Sequence, residues 1–313
     1  MTPKKVAWIG GIAAVLYIVT MVIVLNTVEI PPLRPTAAIL IVLAGVAQIG
    51  AMWFFGALFR ESVERTGQSL QGFSAFKGAL VGAGVARLIP AGGAITPVAM
   101  SWTVRDEANA SAGPAIRAVL LNYAGMLIMT GAAILIVRPR VGVASLTLTI
   151  AAVVALGVGL LLMFGSGKLG SLNKYLPSFL SRRLESSMIN HMPGRRSQLY
   201  IWLRLTLEAA ALGLVLFAFG IDISPVEIAA AFGFASLVGG LPGTPGGLGI
   251  VEAGLVFILA AYGYRAGSTV APVLVFRLVS YWLPAALGFL AGGATFLRSP
   301  EAAAAAADKN PDA

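Results

Sequence analysis

Gly239-Gly-Leu-Pro242-Gly-Thr-Pro245-Gly246-Gly247-Leu-Gly249 cuts through the middle of an apolar stretch that runs from about residue 228 to 262. A continuous helix does not accommodate such a cluster: each proline removes a backbone N–H and clashes with the preceding turn, and each glycine costs roughly 1 kcal/mol relative to alanine. The stretch is therefore predicted to be two half-helices joined at a break. A second apolar stretch, 78 to 104, is interrupted in the same way by Arg87-Leu-Ile-Pro90-Ala-Gly92-Gly93. Non-helical backbone survives at membrane depth only where protein or a wet cavity satisfies its N–H and C=O groups. Both breaks are thus expected to point inward, as re-entrant helical hairpins.

The rest of the chain puts these hairpins in a bilayer. Of the 313 residues, 58% are hydrophobic and 11% charged, against about a quarter charged in soluble domains. Six windows are long enough, at about 20 apolar residues, to cross the hydrocarbon core as helix: roughly 6 to 25, 36 to 59, 114 to 137, 142 to 164, 200 to 219 and 270 to 297. The fold expected is an all-α integral membrane domain over residues 1 to 298. The tail from 299 to 313 has nothing to pack against and is expected to be disordered. Aligning Pro90 with Pro245 sets Gly92 opposite Gly247 and Ile95 opposite Ile250, a weak internal repeat. If the repeat is inverted, the two hairpins must enter from opposite faces.

Charge supplies the orientation. The loop from 166 to 199 holds Lys168, Lys174, Arg182, Arg183, Arg195 and Arg196. Placing it in the cytoplasm, with both termini, leaves Arg34, Arg138, Arg140 and Arg265 in external loops against about thirteen basic residues inside, a positive-inside bias that only the Arg138 and Arg140 pair strains. Leu169, Leu172, Leu176, Phe179 and Leu180 in that loop recur near helical spacing, so either an interfacial helix interrupted at Pro177 or a plain loop fits. The first segment follows Lys4 and Lys5 but lacks a small-residue cleavage site, which favours a retained helix over a signal peptide.

Several functions are excluded by composition. With no cysteine and a single histidine, His191 in a polar loop, thiolate and histidine metal clusters are out of reach, and no cofactor is predicted. The net charge of +9 comes from loops beside apolar spans, which points to anionic lipid headgroups and not to nucleic acid.

Ionisable side chains inside a membrane are costly and mark function or its scaffolding. Five stand at membrane depth in these spans: Arg87, Arg204, Glu208, Glu252 and Arg277. Glu252 opens the half-helix after the glycine-rich break, where it either caps that helix or contacts a ligand. Arg277 is too deep to reach either face and needs a partner, for which Glu252 is the choice. Arg204 and Glu208 share a helix face at i and i+4 and are expected to pair near the interface, at the start of their span. Arg87 has no acidic residue in its hairpin, so it binds either an anionic ligand or carbonyls freed by the break. Substrate-binding roles are expected for Arg87, Glu252 and Arg277, and hairpin-breaking roles for Pro90, Gly92, Gly93, Pro242, Pro245, Gly246, Gly247 and Gly249.

Pro245-Gly246-Gly247-Leu-Gly249-Ile-Val-Glu252, followed by Phe276-Arg277-Leu-Val-Ser-Tyr281-Trp282-Leu-Pro284 and Gly288, resembles the lysylphosphatidylglycerol synthase transmembrane-region family. That resemblance implies a flippase-like membrane domain acting on anionic phospholipid or a lipid-linked envelope precursor. The namesake proteins also carry a soluble aminoacyl transferase. Here the longest polar stretch, 166 to 199, is too short to fold as one. Many relatives have a Gly-Glu pair after the first proline, where this chain has Gly92-Gly93-Ala94. Two other functions compete with translocation: a membrane-embedded transferase for a lipid-linked substrate, and a non-catalytic scaffold for an envelope-biosynthesis enzyme.

Overall fold

A computed structural model describes residues 3–27, 30–88, 92–108, 112–137, 142–164, 193–240 and 244–299. Pro90, Pro242, His191, the Arg138 and Arg140 pair, the stripe from Leu169 to Leu180 and nearly all of the tail lie outside them. Among the described residues there is no strand. The helices are α1 (Pro3–Thr27), α2 (Ala37–Glu64), α3 (Gly72–Leu88), α4 (Thr96–Thr103), α5 (Ala112–Val137) and α6 (Gly142–Phe164). They continue with α7 (Arg195–Ala218), α8 (Pro225–Gly239), α9 (Ile250–Ala261) and α10 (Ala266–Phe296). Five of the described helices, α2, α5, α6, α7 and α10, are long and apolar enough to cross a bilayer. The first of the six windows expected from sequence falls inside α1, a helix of 25 residues.

Each span buries one stripe and turns the other to lipid. On α2 the buried positions Ala44, Gln48, Ala51, Met52, Phe55 and Phe59 recur every three or four residues, while Ile39, Val42, Val46 and Trp53 are exposed. The outer face of α6, with Leu146, Ile150, Val153 and Val154, is exposed and apolar apart from Thr147. Such a surface is stable against acyl chains and a liability in water. Because lipid is as apolar as leucine, helices here associate through close backbone approach at small residues. Gly131 of α5 sits against the Ala152 carbonyl of α6, and Gly159 of α6 against the Ala124 carbonyl of α5.

The hairpins enter from opposite ends. At one end, which we call the Asp222 end, Arg34 before α2 bonds Asp222 at 2.8 Å, and its N–H donates to the Ala218 carbonyl at the end of α7. Tyr264, just past α9, donates to the Asp222 carbonyl and to Glu227 at the start of α8, both at 3.2 Å. Both feet of the α8–α9 hairpin therefore stand at this end. Ser224 and Glu227 close a reciprocal capping box there, with Pro225 in the first turn.

At the other end, the Glu61 end, Glu61 near the C-terminus of α2 meets Arg117 of α5 and Ser197 of α7. The Gln71 N–H before α3 donates to the Glu107 carboxylate after α4, at 2.5 Å, so both feet of the α3–α4 hairpin stand here. The tips meet at mid-depth, where the Tyr281 hydroxyl of α10 donates to the Arg87 carbonyl at 2.5 Å and to the Pro245 carbonyl at 3.4 Å. Opposed entry of two broken hairpins is the geometry of an inverted repeat.

The last span is not a plain helix. It contains two π turns, Leu278–Trp282 and Phe289–Gly293, and crosses α3 at Gly84 and Gly288. A Cβ on Gly84 would lie 2.9 Å from the Gly288 Cα, and one on Gly288 would strike the Leu80 carbonyl oxygen. Neither obstacle is a side chain that can rotate away. Gly288→Leu is expected to lower the melting temperature of detergent-solubilised protein by at least the equivalent of about 1–3 kcal/mol typical of overpacking. Gly157→Leu, whose Cβ meets nothing within 4 Å on α6, should leave it unchanged.

Candidate functional site

Where the two tips meet, α2, α3, α5, α7, α8 and α10 line a cavity of about 240 Å³. Its wall carries Gln48, Arg87, Asn122, Tyr123, Arg204, Glu208, Ser236, Thr244, Arg277 and Ser280, together with the backbone of Gly93, Gly246 and Gly247. So many polar groups at mid-depth mark a compartment shielded from lipid.

Arg277 is held from two sides. Its Nε donates to Glu252 Oε1 at 2.8 Å and its Nη2 to the Gly246 carbonyl at 3.3 Å, with the Tyr281 ring 4.7 Å from Cζ. Glu252 Oε2 also accepts the Gly249 N–H at 2.7 Å, capping α9. The pair anticipated between Glu252 and Arg277 is thus present, and the same carboxylate also holds the broken turn. The turn needs its glycines: Gly246, Gly247 and Gly249 have φ of 54°, 71° and 82°, in the left-handed region. A Cβ on Gly246 would in addition collide with the Tyr281 ring and come within 3.1 Å of the Arg87 Cα.

Arg87 bonds carbonyls. Its Nη1 donates to Ala83 at 2.8 Å and its Nη2 to Ser280 at 3.0 Å. Ser280 is four residues before Pro284, whose missing N–H leaves that carbonyl without its helical donor. The carbonyls that Arg87 bonds belong to α3 and α10 and not to the broken turn between α3 and α4, and the residue also stands on the cavity wall.

Arg204 and Glu208 are not at the interface. Helix α7 begins at Arg195, five residues before the expected span, because Arg195 and Arg196 extend it from the exposed end. That moves Arg204 and Glu208 to mid-helix, where both line the cavity, bonded to each other at 3.3 Å. The Arg204 guanidinium lies over the Phe55 ring at 4.0 Å.

Two features of the site region escape a reading of the sequence. Gln48 and Asn122 are uncharged and sit inside ordinary apolar spans, yet they are 1% and 8% exposed and face the cavity. Glu61 lies just past the window of 36 to 59 that the sequence gives for the second span. Helix α2 runs on to Glu64, and Glu61 is buried there, accepting bonds from Arg65 at 2.5 Å, Arg117 at 3.1 Å and Ser197 at 2.7 Å. This cluster ties α2, α5 and α7 at the Glu61 end. A carboxylate and an arginine each one turn from the margin of a predicted span are the signal that would have found it.

On the far side of the Thr244–Gly249 turn, a second pocket of about 540 Å³ is lined by Leu16 and Tyr17 of α1, Leu248, Glu252, Val256, Val273 and Leu274. Its lining is mostly apolar, with Tyr17, Thr20, Thr244 and Glu252 as the polar side chains. The turn and the Glu252–Arg277 pair therefore stand between a polar and an apolar compartment.

Opposed broken hairpins around a charged cavity define the class as a polytopic α-helical membrane protein with a shielded polar site at its centre. The chain belongs to the family described as the lysylphosphatidylglycerol synthase TM region, whose model matches residues 7–288. It is also similar to two proteins of Methanothermobacter thermautotrophicus, each called a UPF0104 membrane protein. One is 37% identical over 91 residues, 29% of this chain and 26% of the relative. The other is 40% identical over 85 residues, 26% of this chain and 25% of the relative. Those matches span about a quarter of each relative's length.

Breaking a buried ion pair from one side costs about 3–5 kcal/mol, because an unpaired charge remains. Arg277→Leu and Glu252→Leu should each lower the melting temperature sharply, and the double variant should recover part of the loss. Additive losses in the double variant would show that the two side chains are not coupled.

Proposed function

We propose that the protein is a translocase for a lipid with an anionic headgroup, either a phospholipid or a lipid-linked envelope precursor. The headgroup crosses through the central cavity while the acyl chains stay in the bilayer. The observation that supports this most is the charge on the cavity wall, where Arg87, Arg204 and Arg277 face a single carboxylate, Glu208. A surplus of guanidinium in a site shielded from lipid offsets the cost of bringing a phosphate to mid-depth. At about 240 Å³, the cavity is below the roughly 300–1,000 Å³ of sites that engulf drug-sized ligands. It suits a headgroup and not a whole lipid. Hairpins entering from opposite faces also make alternating access by rocking of one repeat against the other a natural motion.

In this reading the protein lies in the cytoplasmic membrane with its Glu61 end in the cytoplasm. Arg60, Arg65, Arg105, Arg195 and Arg196 cluster at that end, against Arg34 and Arg265 at the Asp222 end, in keeping with the positive-inside bias. Anionic lipid is the partner this reading requires.

Two measurements test the proposal. In proteoliposomes, wild-type protein should exchange fluorescent phosphatidylglycerol between leaflets. Arg87→Ala should slow exchange about tenfold or more, since hydrogen bonds to charged groups contribute about 1.5–3 kcal/mol, and Glu252→Ala should slow it by freeing Arg277 and the Gly249 N–H of the broken turn. Absence of exchange for every anionic lipid tested would sink the translocase reading. Because the chain has no cysteine, single cysteines report orientation cleanly. An impermeant maleimide should label Arg265→Cys in intact cells and spare Arg196→Cys, and the reverse pattern would invert the topology.

A further inference from the structure

The three arginines on the cavity wall differ in how much of their hydrogen-bonding capacity is already used. Arg87 is committed to two carbonyls, and Arg277 to Glu252 and the Gly246 carbonyl. Arg204 makes one bond, at 3.3 Å to Glu208, and its Nε and Nη1 have no partner among the described residues. A guanidinium carries five N–H donors. Buried donors without partners are rare and costly. The aromatic ring of Phe55 clamps one face of Arg204, which holds the planar fork in place for an incoming oxyanion.

The Ser280 hydroxyl, which can donate, is unpartnered on the same wall, and so are two carbonyl-type acceptors, the carboxamide oxygens of Gln48 and Asn122. A phosphate alone cannot satisfy them, because it offers no donor when fully ionised. A phosphodiester whose substituent bears O–H or N–H groups can satisfy both halves of the wall at once. We infer that Arg204 is the phosphate-binding residue of the cavity, that Gln48 and Asn122 take the donors of the headgroup substituent, and that Glu208 is the internal anion the phosphate displaces from Arg204. This assignment rests on the translocase reading for its biological setting, but it concerns binding and is tested by binding.

The two members of the Arg204–Glu208 pair act in opposite directions in this scheme. Removing Arg204 deletes the phosphate site. Removing the charge of Glu208 frees Arg204 and tightens it. A merely structural ion pair would make both variants fail alike.

The experiment is calorimetric titration of the purified full chain in detergent with dihexanoyl phosphatidylglycerol, dihexanoyl phosphatidylcholine, glycerol phosphate and inorganic phosphate. Dihexanoyl phosphatidylglycerol should bind more tightly than the choline lipid, which has the phosphate but no donor. Arg204→Gln should weaken binding about tenfold or more, the worth of one or two charge-assisted hydrogen bonds. Glu208→Gln should strengthen it severalfold. Should Arg204→Gln fold poorly with Glu208 left unpaired, the neutral Arg204→Gln/Glu208→Gln protein serves in its place and should show the same loss.

Unchanged binding in Arg204→Gln and in the double variant, equal weakening in Arg204→Gln and Glu208→Gln, or no binding of any of the four compounds would overturn the assignment. Glycerol phosphate binding as tightly as the short-chain lipid would keep Arg204 as the phosphate residue and make the ligand a soluble one. Binding that follows the expected pattern without leaflet exchange would retire translocation and leave the site standing. Leaflet exchange with binding indifferent to Arg204 would do the opposite.

Discussion

Every backbone N–H and C=O that lies in hydrocarbon without a partner is costly, and this single constraint organises the molecule. A chain with Gly/Pro clusters in the middle of two apolar stretches has to find those partners from its own side chains. Arg87 takes the carbonyl that Pro284 leaves bare at Ser280, Arg277 takes the Gly246 carbonyl, Glu252 takes the Gly249 N–H, and Tyr281 takes the carbonyls of Arg87 and Pro245. Arg87 and Arg277 are therefore both structural clasps and linings of the cavity that the breaks create, while Glu252 lines the apolar pocket behind the turn.

The same clasps explain why the polar compartment sits at mid-depth. Hairpins that enter from opposite ends and stop at their glycines bring their tips together about halfway through the bilayer. α10 threads past both tips, and its crossing with α3 at Gly84 and Gly288 brings the two backbones into direct contact. The ends are tied separately, by Glu61 with Arg65, Arg117 and Ser197 at one face and by Arg34, Asp222, Glu227 and Tyr264 at the other. The bundle is thus fastened at both faces and polar at its centre.

Family membership and geometry bear on different questions. Membership in the lysylphosphatidylglycerol synthase TM region family places the chain among membrane domains associated with lipid. The cavity adds the surplus of arginine and the uneven use of its donors, which is what directs attention to one residue, Arg204, among three that look equivalent by type.

Much of this was legible in the sequence for simple reasons. Hydropathy over about 20 residues marks a span, and Pro and Gly clusters break helices wherever they occur, so the all-α membrane fold and both hairpins were determined by local chemistry. The partnership of Glu252 and Arg277 followed as well, since two opposite charges at one depth have few other ways to be stable. What hydropathy does not register is rotation and depth. Gln48 and Asn122 are indistinguishable from lipid-facing polar residues until α2 and α5 are packed. Arg204 and Glu208 move from the margin to the centre once α7 begins five residues earlier, and Glu61 moves from a loop to a buried cluster once α2 runs on to Glu64. The amino-acid sequence by itself determined which segments enter the membrane and where they break, because those are properties of a residue and its neighbours along the chain. Only the tertiary structure decided which side chains share the cavity and which donors remain unused, because both depend on contacts between helices that are far apart in sequence.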